Sequence, residues 1–210
     1  MIPSEAMSRF RFRGSDGKDI APGEWLRTWA DRYPSSNYSE SEYSELIAKH
    51  KSLSPADFER IGKWKDGANT ENRWKPDVAS AAYRIWMQAT SELPKCPEES
   101  RVADFLDDWS SRKYTDEYKN GVVREKSFGL SRATTLLHFI SGGRFPIFDS
   151  RVRKAMTRLL NSRVPKTVRW YLDSFCPCFS EIAALCGTKD LRMVDKALFS
   201  YGDRTLPFSN

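Results

Sequence analysis

Histidine, cysteine and long apolar runs are scarce in this 210-residue chain, which has two His and four Cys. No apolar run approaches the ~20 residues that a membrane-spanning helix needs, so no membrane partner is expected. The chain does not open with the charged, apolar and small-residue succession of a secretory signal, and a cytoplasmic location is expected. Cys96, Cys176, Cys178 and Cys186 do not form a metal-binding pattern, because Cys-Pro-Cys with seven residues before the next Cys fits no common zinc spacing. They read as reduced, mostly buried thiols of a reducing compartment, with no metal and no cofactor. Strand signals are scarce and no internal repeat is visible.

Acidic residues are also missing from one region. Residues 121–170 hold eleven Lys or Arg against Glu125 and Asp149, a local charge of +9 in a chain whose total is +6. A patch of this kind suits phosphate binding through counterion release. A solvated basic helix face would give the same count.

What remains is ordinary for a globular protein, at 40% hydrophobic and 30% charged residues. The length supports one full core, at most split into two lobes, and a monomer is expected. Apolar spacing predicts an all-α fold. Pro22 opens a helix with Trp25, Leu26 and Trp29, and a second runs from Glu42 to about Lys51. Ser54-Pro55 starts a third with Phe58 and Ile61. Lys75-Pro76-Asp77 starts a long core helix through Ile85 and Ala89, and Glu98 to Ser111 buries Val102, Leu106 and Trp109. After residue 160, Pro165 opens a helix interrupted at Cys176-Pro177-Cys178. Leu191 to Tyr201 forms the last one, closed by Gly202. The start, Arg9-Phe10-Arg11-Phe12-Arg13, alternates like a short edge strand, or an arm lying on DNA, within residues 1–20.

The most informative stretch is Lys126 to Met156. Ala133, Leu136, Leu137 and Ile140 recur at helical spacing and predict a helix over Ser131–Ser141, with Gly129 upstream suited to a positive φ. Gly142 and Gly143 end it. Pro146 keeps the chain extended until Asp149 and Ser150 offer an N-cap, after which Val152, Ala155, Met156 and Leu159 define another amphipathic helix. Tyr114 to Arg124 is expected to be the helix before the hairpin.

These residues resemble the helix-hairpin-helix DNA glycosylase superfamily. Gly129-x-Ser131-x-Ala133 is similar to its hairpin, and Phe145-Pro146-Ile147-Phe148-Asp149-x-x-Val152-Arg153 to the loop that delivers its catalytic Asp, as in the adenine-excising branch and endonuclease III. Ser127 stands where the family hairpin has its first glycine. Ser131 stands where strand-cleaving members carry a Schiff-base lysine. The iron-sulfur cysteines of several relatives have no counterpart at matching intervals.

The resemblance implies a glycosylase-like helical fold over residues 21–210, with a cleft between two lobes and the hairpin and catalytic loop at 115–160. It implies a monofunctional enzyme without lyase activity, which hydrolyses the N-glycosidic bond of a base flipped out of double-stranded DNA and leaves an abasic site. Asp149 would be the catalytic carboxylate, expected to stay ionised beside so many cations, stabilising an oxocarbenium-like sugar and activating water. Ser127, Phe128, Gly129, Leu130, Ser131 and Arg132, with Arg151 and Arg153, would contact DNA phosphates. A plain N-cap is the structural role open to Asp149.

Other residues are weaker candidates for a base pocket. Trp64 and Lys65, in the Lys63–Trp74 segment of clustered Trp and cations, could stack on a base or be core anchors. His138 could line the pocket or be a buried helix histidine with a structural hydrogen bond. Glu42, Glu45 and Glu59 are conceivable second carboxylates. The substrate could be a damaged base, or a modified base of phage DNA removed in defence. A catalytically inactive helix-hairpin-helix DNA-binding module is the alternative.

Overall fold

The structure, a computed structural model, describes residues 9–67, 81–117 and 123–203. Among these the chain is mostly helical, and no helix is long and apolar enough to cross a membrane. The chain divides into two compact units, one made of residues 1–33 and 146–210, the other of 34–145. The first unit is thus assembled from both ends of the sequence.

In that first unit the helices are α1 (Pro22–Ala30), α7 (Ser150–Leu159), α8 (Val168–Trp170), α9 (Cys176–Leu185) and α10 (Leu191–Tyr201). α1 begins at a proline whose fixed φ suits the first helical position, and it buries Trp25, Leu26 and Trp29. Its partner is α10. Tyr201 of α10 meets the rings of Trp25 and Trp29 edge-on at 5.5 and 5.1 Å, and Phe12 meets Trp25 at 5.3 Å.

Residues 9–20, which include the alternating Arg-Phe stretch, form a folded hook. Phe10 and Phe12 are buried, the backbone N–H of Arg11 donates to the carbonyl of Leu159 at 2.8 Å, and Arg13 pairs with Asp19 in a single antiparallel bridge. Only the turn at Gly17, with φ of 79°, needs glycine.

The Cys-Pro-Cys segment does not interrupt its helix. A π turn, Tyr171–Phe175, joins α8 to α9 and leads into Pro177, which sits in the first turn of α9. Pro177 gives no N–H to the ladder, and the wider π turn immediately before it is where the winding changes. The helix starts later than expected, at Val168, where Thr167 caps it by accepting from the N–H of Trp170.

The second unit holds α2 (Glu40–Ala48), α3 (Pro55–Gly62), α4 (Ala81–Glu92), α5 (Val102–Ser111), β1 (Lys113–Glu117), β2 (Val123–Ser127) and α6 (Gly129–Ile140). Ser54 and Asp57 close a reciprocal capping box at the start of α3. A π turn, Lys63–Gly67, follows α3, and a 3₁₀ turn, Glu99–Arg101, precedes α5. The expected start of the long helix at Lys75-Pro76-Asp77 lies outside the described residues; Ile85, Trp86 and Ala89 of α4 are buried as expected.

The expected helix over Tyr114–Arg124 is corrected. β1 and β2 pair antiparallel, with Lys113 opposite Ser127 and Glu117 opposite Val123. The residues explain it: Tyr, Thr and Val favour a strand, and Asn120-Gly121 between the strands is the strongest short-range hairpin signal. The helix that packs on α6 is α5, and the β-ribbon lies in the connection between them. Phe128 ends the ribbon and wedges its ring against Trp86 and Trp109 at 5.2 and 5.6 Å.

Candidate active-site carboxylate and phosphate-binding helix end

Asp149 is the N-cap of α7. Its Oδ1 accepts from the backbone N–H groups of Arg151 at 2.9 Å and Val152 at 3.0 Å. The side chain is half-buried, between a fully covered Phe148 and an exposed Ser150. Phe148 is locked by rings of the helix below, 4.8 Å from Phe175 and 5.9 Å from Tyr171. Tyr171 also donates its hydroxyl to the carbonyl of Pro146 at 2.8 Å. Burial pushes that phenol well above its ordinary pKa, so it stays a donor at any physiological pH. The carboxylate thus stands at the positive end of α7 on a loop held by buried aromatics.

Arg151, a few residues on, is spoken for within the same unit. It lies 4.4 Å over the Phe199 ring and 3.8 Å from the Asp203 carboxylate. Arg153 is half-exposed on α7. Gly202 packs against the backbone here: a Cβ on it would fall 1.8 Å from the carbonyl oxygen of Arg151.

In the second unit, the hairpin residues divide into buried and presented ones. Phe128 and Leu130 are buried, whereas Ser127 is exposed and Gly129 and Ser131 are half-exposed. Gly129 has φ of +78° and nothing within 4 Å of where a Cβ would be. No side chain caps α6 at Phe128. An uncapped helix start beside an unobstructed glycine is a backbone N–H surface suited to an anion.

Arg132 does not join that surface. Its Nε donates to Asp66 Oδ2 at 2.6 Å and its Nη1 to the carbonyl of Phe128 at 3.1 Å, while Trp86 Nε1 donates to the same Asp66 oxygen at 2.7 Å. Burial disfavours the cation, but the Asp66 carboxylate outweighs it and holds the proton more tightly than usual. Arg132 is therefore a structural cation of the second unit rather than a phosphate contact.

Two of the expected base-pocket residues, Trp64 and His138, are buried within the second unit. Trp64 is only 6% exposed and meets Tyr38 and Phe139 edge-on at 5.4 Å each. Lys65 sits half-buried on the same π turn, and the segment from 68 to 74 lies outside the described residues. His138 is 4% exposed, with Nδ1 2.7 Å from the Phe145 carbonyl and Nε2 2.9 Å from the Tyr43 hydroxyl. A carbonyl only accepts, so Nδ1 carries the proton; in the neutral ring, Nε2 then accepts from Tyr43.

No family model, curated protein or solved structure matches the chain. What the site can do rests on its own geometry.

Glu42 and Glu45 both receive hydrogen bonds from Arg60, at 3.1 and 2.9 Å, and Glu59 pairs with Lys63 at 2.8 Å. They form a surface ion network over α2 and α3 rather than a second acid beside a substrate. All four cysteines are free thiols, and the described residues hold no cluster of three or more His, Cys, Asp or Glu suited to a metal. Sequence reasoning missed Tyr171, Asp66 and Gly202. Only Gly202 left a readable trace there, and that trace suggested a helix end rather than a close approach.

Proposed function

We propose that this protein is a monofunctional DNA N-glycosylase, acting on a modified or damaged base flipped out of duplex DNA. The observation that carries this is Asp149: a half-buried carboxylate, aimed by two backbone N–H groups at the start of α7, in the most basic region of the chain. The resemblance of the Phe145–Arg153 loop to that of the helix-hairpin-helix glycosylases supports the same reading. So does the uncapped start of α6, whose N–H groups suit a DNA phosphate.

In this reading the C1′–N bond breaks with its electron pair leaving on the base, and the sugar becomes oxocarbenium-like. Asp149 stabilises that cation and takes a proton from the water whose oxygen bonds to C1′. Ser131 provides no amine for a Schiff base, so the strand stays intact. Modified bases of phage DNA are one substrate class for such an enzyme, and damaged host bases are the other.

A second reading has its own observation. The bonds from Asp149 to Arg151 and Val152 satisfy the needs of a plain N-cap, which fits a catalytically inactive DNA-binding module. Mass spectrometry of bases freed from normal, lesion-bearing and phage-modified DNAs separates the two. Release that vanishes with Asp149→Asn supports the enzyme and names its base. Salt-dependent DNA binding with no release from any DNA leaves the inactive module.

A further inference from the structure

The second unit contains a cavity of about 540 Å³ that none of the preceding chemistry uses. It falls within the range of small-molecule sites, roughly 300–1,000 Å³. The cavity lies where the end of α4, the turn after α2 and the loop after α6 meet. Leu53, Phe58, Pro94 and Ile140 give it apolar walls, joined by Leu93, which is 39% exposed. Leu93 adopts φ of 44°, a left-handed turn that sends the chain directly from α4 into Pro94 and Lys95.

Its charge is one-sided. Lys51, Lys95 and Arg144 line the cavity, and no carboxylate does. None of these three makes an ion pair among the described residues, whereas Lys49, Arg60, Lys63, Arg112, Lys113 and Arg132 of the same unit all do. Arg144 lies 4.8 Å over the Phe145 ring, and its only polar neighbour there is the Cys96 thiol, 3.9 Å away. Three uncompensated cations around an apolar hollow favour a multiply charged anionic head on an apolar body.

The wall also carries an acceptor. His50 Nδ1 bonds to the carbonyl of Ile47 at 3.0 Å, so Nδ1 holds the proton and Nε2 of the neutral ring is an acceptor with no partner among the described residues. Gly142, at φ of 66°, leaves room for the ring, since a Cβ there would lie 3.0 Å from His50 Cγ. An acceptor oriented by the bond to Ile47 at an apolar wall suits the N–H edge of a nucleobase better than a lipid tail.

We propose that this cavity binds a nucleoside monophosphate, with the phosphate held by Lys51, Lys95 and Arg144 and the base against Phe58, Leu93 and Pro94 within reach of His50. The site is independent of the glycosylase reading and does not involve Asp149.

Titration calorimetry of the full chain with the four ribonucleoside and four deoxyribonucleoside 5′-monophosphates tests this. At least one should bind with Kd below about 1 mM, and the matching nucleoside and inorganic phosphate should each bind roughly tenfold weaker or worse. Combining Lys51→Ala, Lys95→Ala and Arg144→Ala should abolish binding while leaving the thermal midpoint near that of the parent. Should that variant fail to fold, Cys96 decides: the bound nucleotide should slow its alkylation by N-ethylmaleimide in the parent protein. The proposal is overturned by no binding of any monophosphate, or by inorganic phosphate or octanoate binding as tightly. Undiminished binding in the folded triple variant, or unprotected Cys96 at saturating nucleotide, overturns it equally.

Discussion

His138 donates from Nδ1 to the carbonyl oxygen of Phe145, and this bond fixes the last residue of the second unit before the chain enters the loop of Asp149. Replacing His138 with Ala removes one hydrogen bond to that part-buried carbonyl and one to the buried Tyr43 hydroxyl. The expected cost is about 1–3 kcal/mol, read as a lower urea midpoint. A midpoint unchanged from the parent would mean that Phe145 is held by other contacts.

Asp149 has a structural and a chemical job that one pair of variants separates. Asn caps a helix as well as Asp, so Asp149→Asn should unfold within about 0.5 kcal/mol of the parent, while Asp149→Ala should lose about 1 kcal/mol. Base release should fall in both, by roughly a hundredfold or more. An Asn variant that keeps its activity would remove Asp149 from the chemistry.

Gly202→Ala places a methyl group 1.8 Å from the Arg151 carbonyl oxygen, at a contact between backbones that no rotamer change relieves. α10 must then move away from the start of α7. A loss of about 1–3 kcal/mol or more in chemical denaturation is expected, larger than for Gly23→Ala, whose nearest contact is an ordinary 3.6 Å.

Acid should weaken the second unit through Glu45. Hydrogen bonds from Arg60 and Lys49 lower its pKa from 4.5 to about 2. A depressed carboxylate stabilises the fold fully above its unfolded pKa and loses that contribution as pH falls through the folded one. Glu45→Gln should therefore melt below the parent at pH 7, and the two curves should converge between pH 4.5 and about 2. The gap should be small, since the pair is exposed to solvent. Parallel curves down to pH 2 would discount the network.

Thiol chemistry should single out one cysteine. Burial pushes Cys186 up to about 12 and Cys176 up to about 11, while Cys178 is buried and Cys96 exposed. At pH 8 a disulfide reagent should titrate one thiol quickly and the other three only on unfolding. Two or more fast thiols would show that the α9 region opens readily.

Much of this was legible in the sequence because the signals were local. Pro22, Ser54-Pro55 and the 3.6-residue apolar spacing of α6, α7 and α10 specify those helices within a few residues. Asp149 announced its own N-cap. What escaped depended on partners far along the chain. Nothing near Arg132 in sequence points to Asp66, sixty-six residues away, and a basic residue next to a hairpin looks like a phosphate contact until its carboxylate is seen. The β-ribbon is different: Asn120-Gly121 was readable, but alternation across Tyr114 to Ser127 is weak, and charged residues fit an exposed ribbon and an exposed helix equally well.

The π turn at Tyr171–Phe175 gives the first unit a place where chain length is negotiable. Such a turn carries one residue beyond the α-helical count. Deleting one residue between Tyr171 and Phe175 would restore the regular winding and leave Cys178, Phe179 and Ile182 facing their core, whereas a deletion further along α9 would swing the residues after it about 100° around the helix axis. The turn absorbs the extra residue, so that two faces stay in phase, one closing over the loop of Asp149 and the other packing toward α10. One-residue insertions and deletions among related chains should therefore gather at this turn and avoid the regular part of α9.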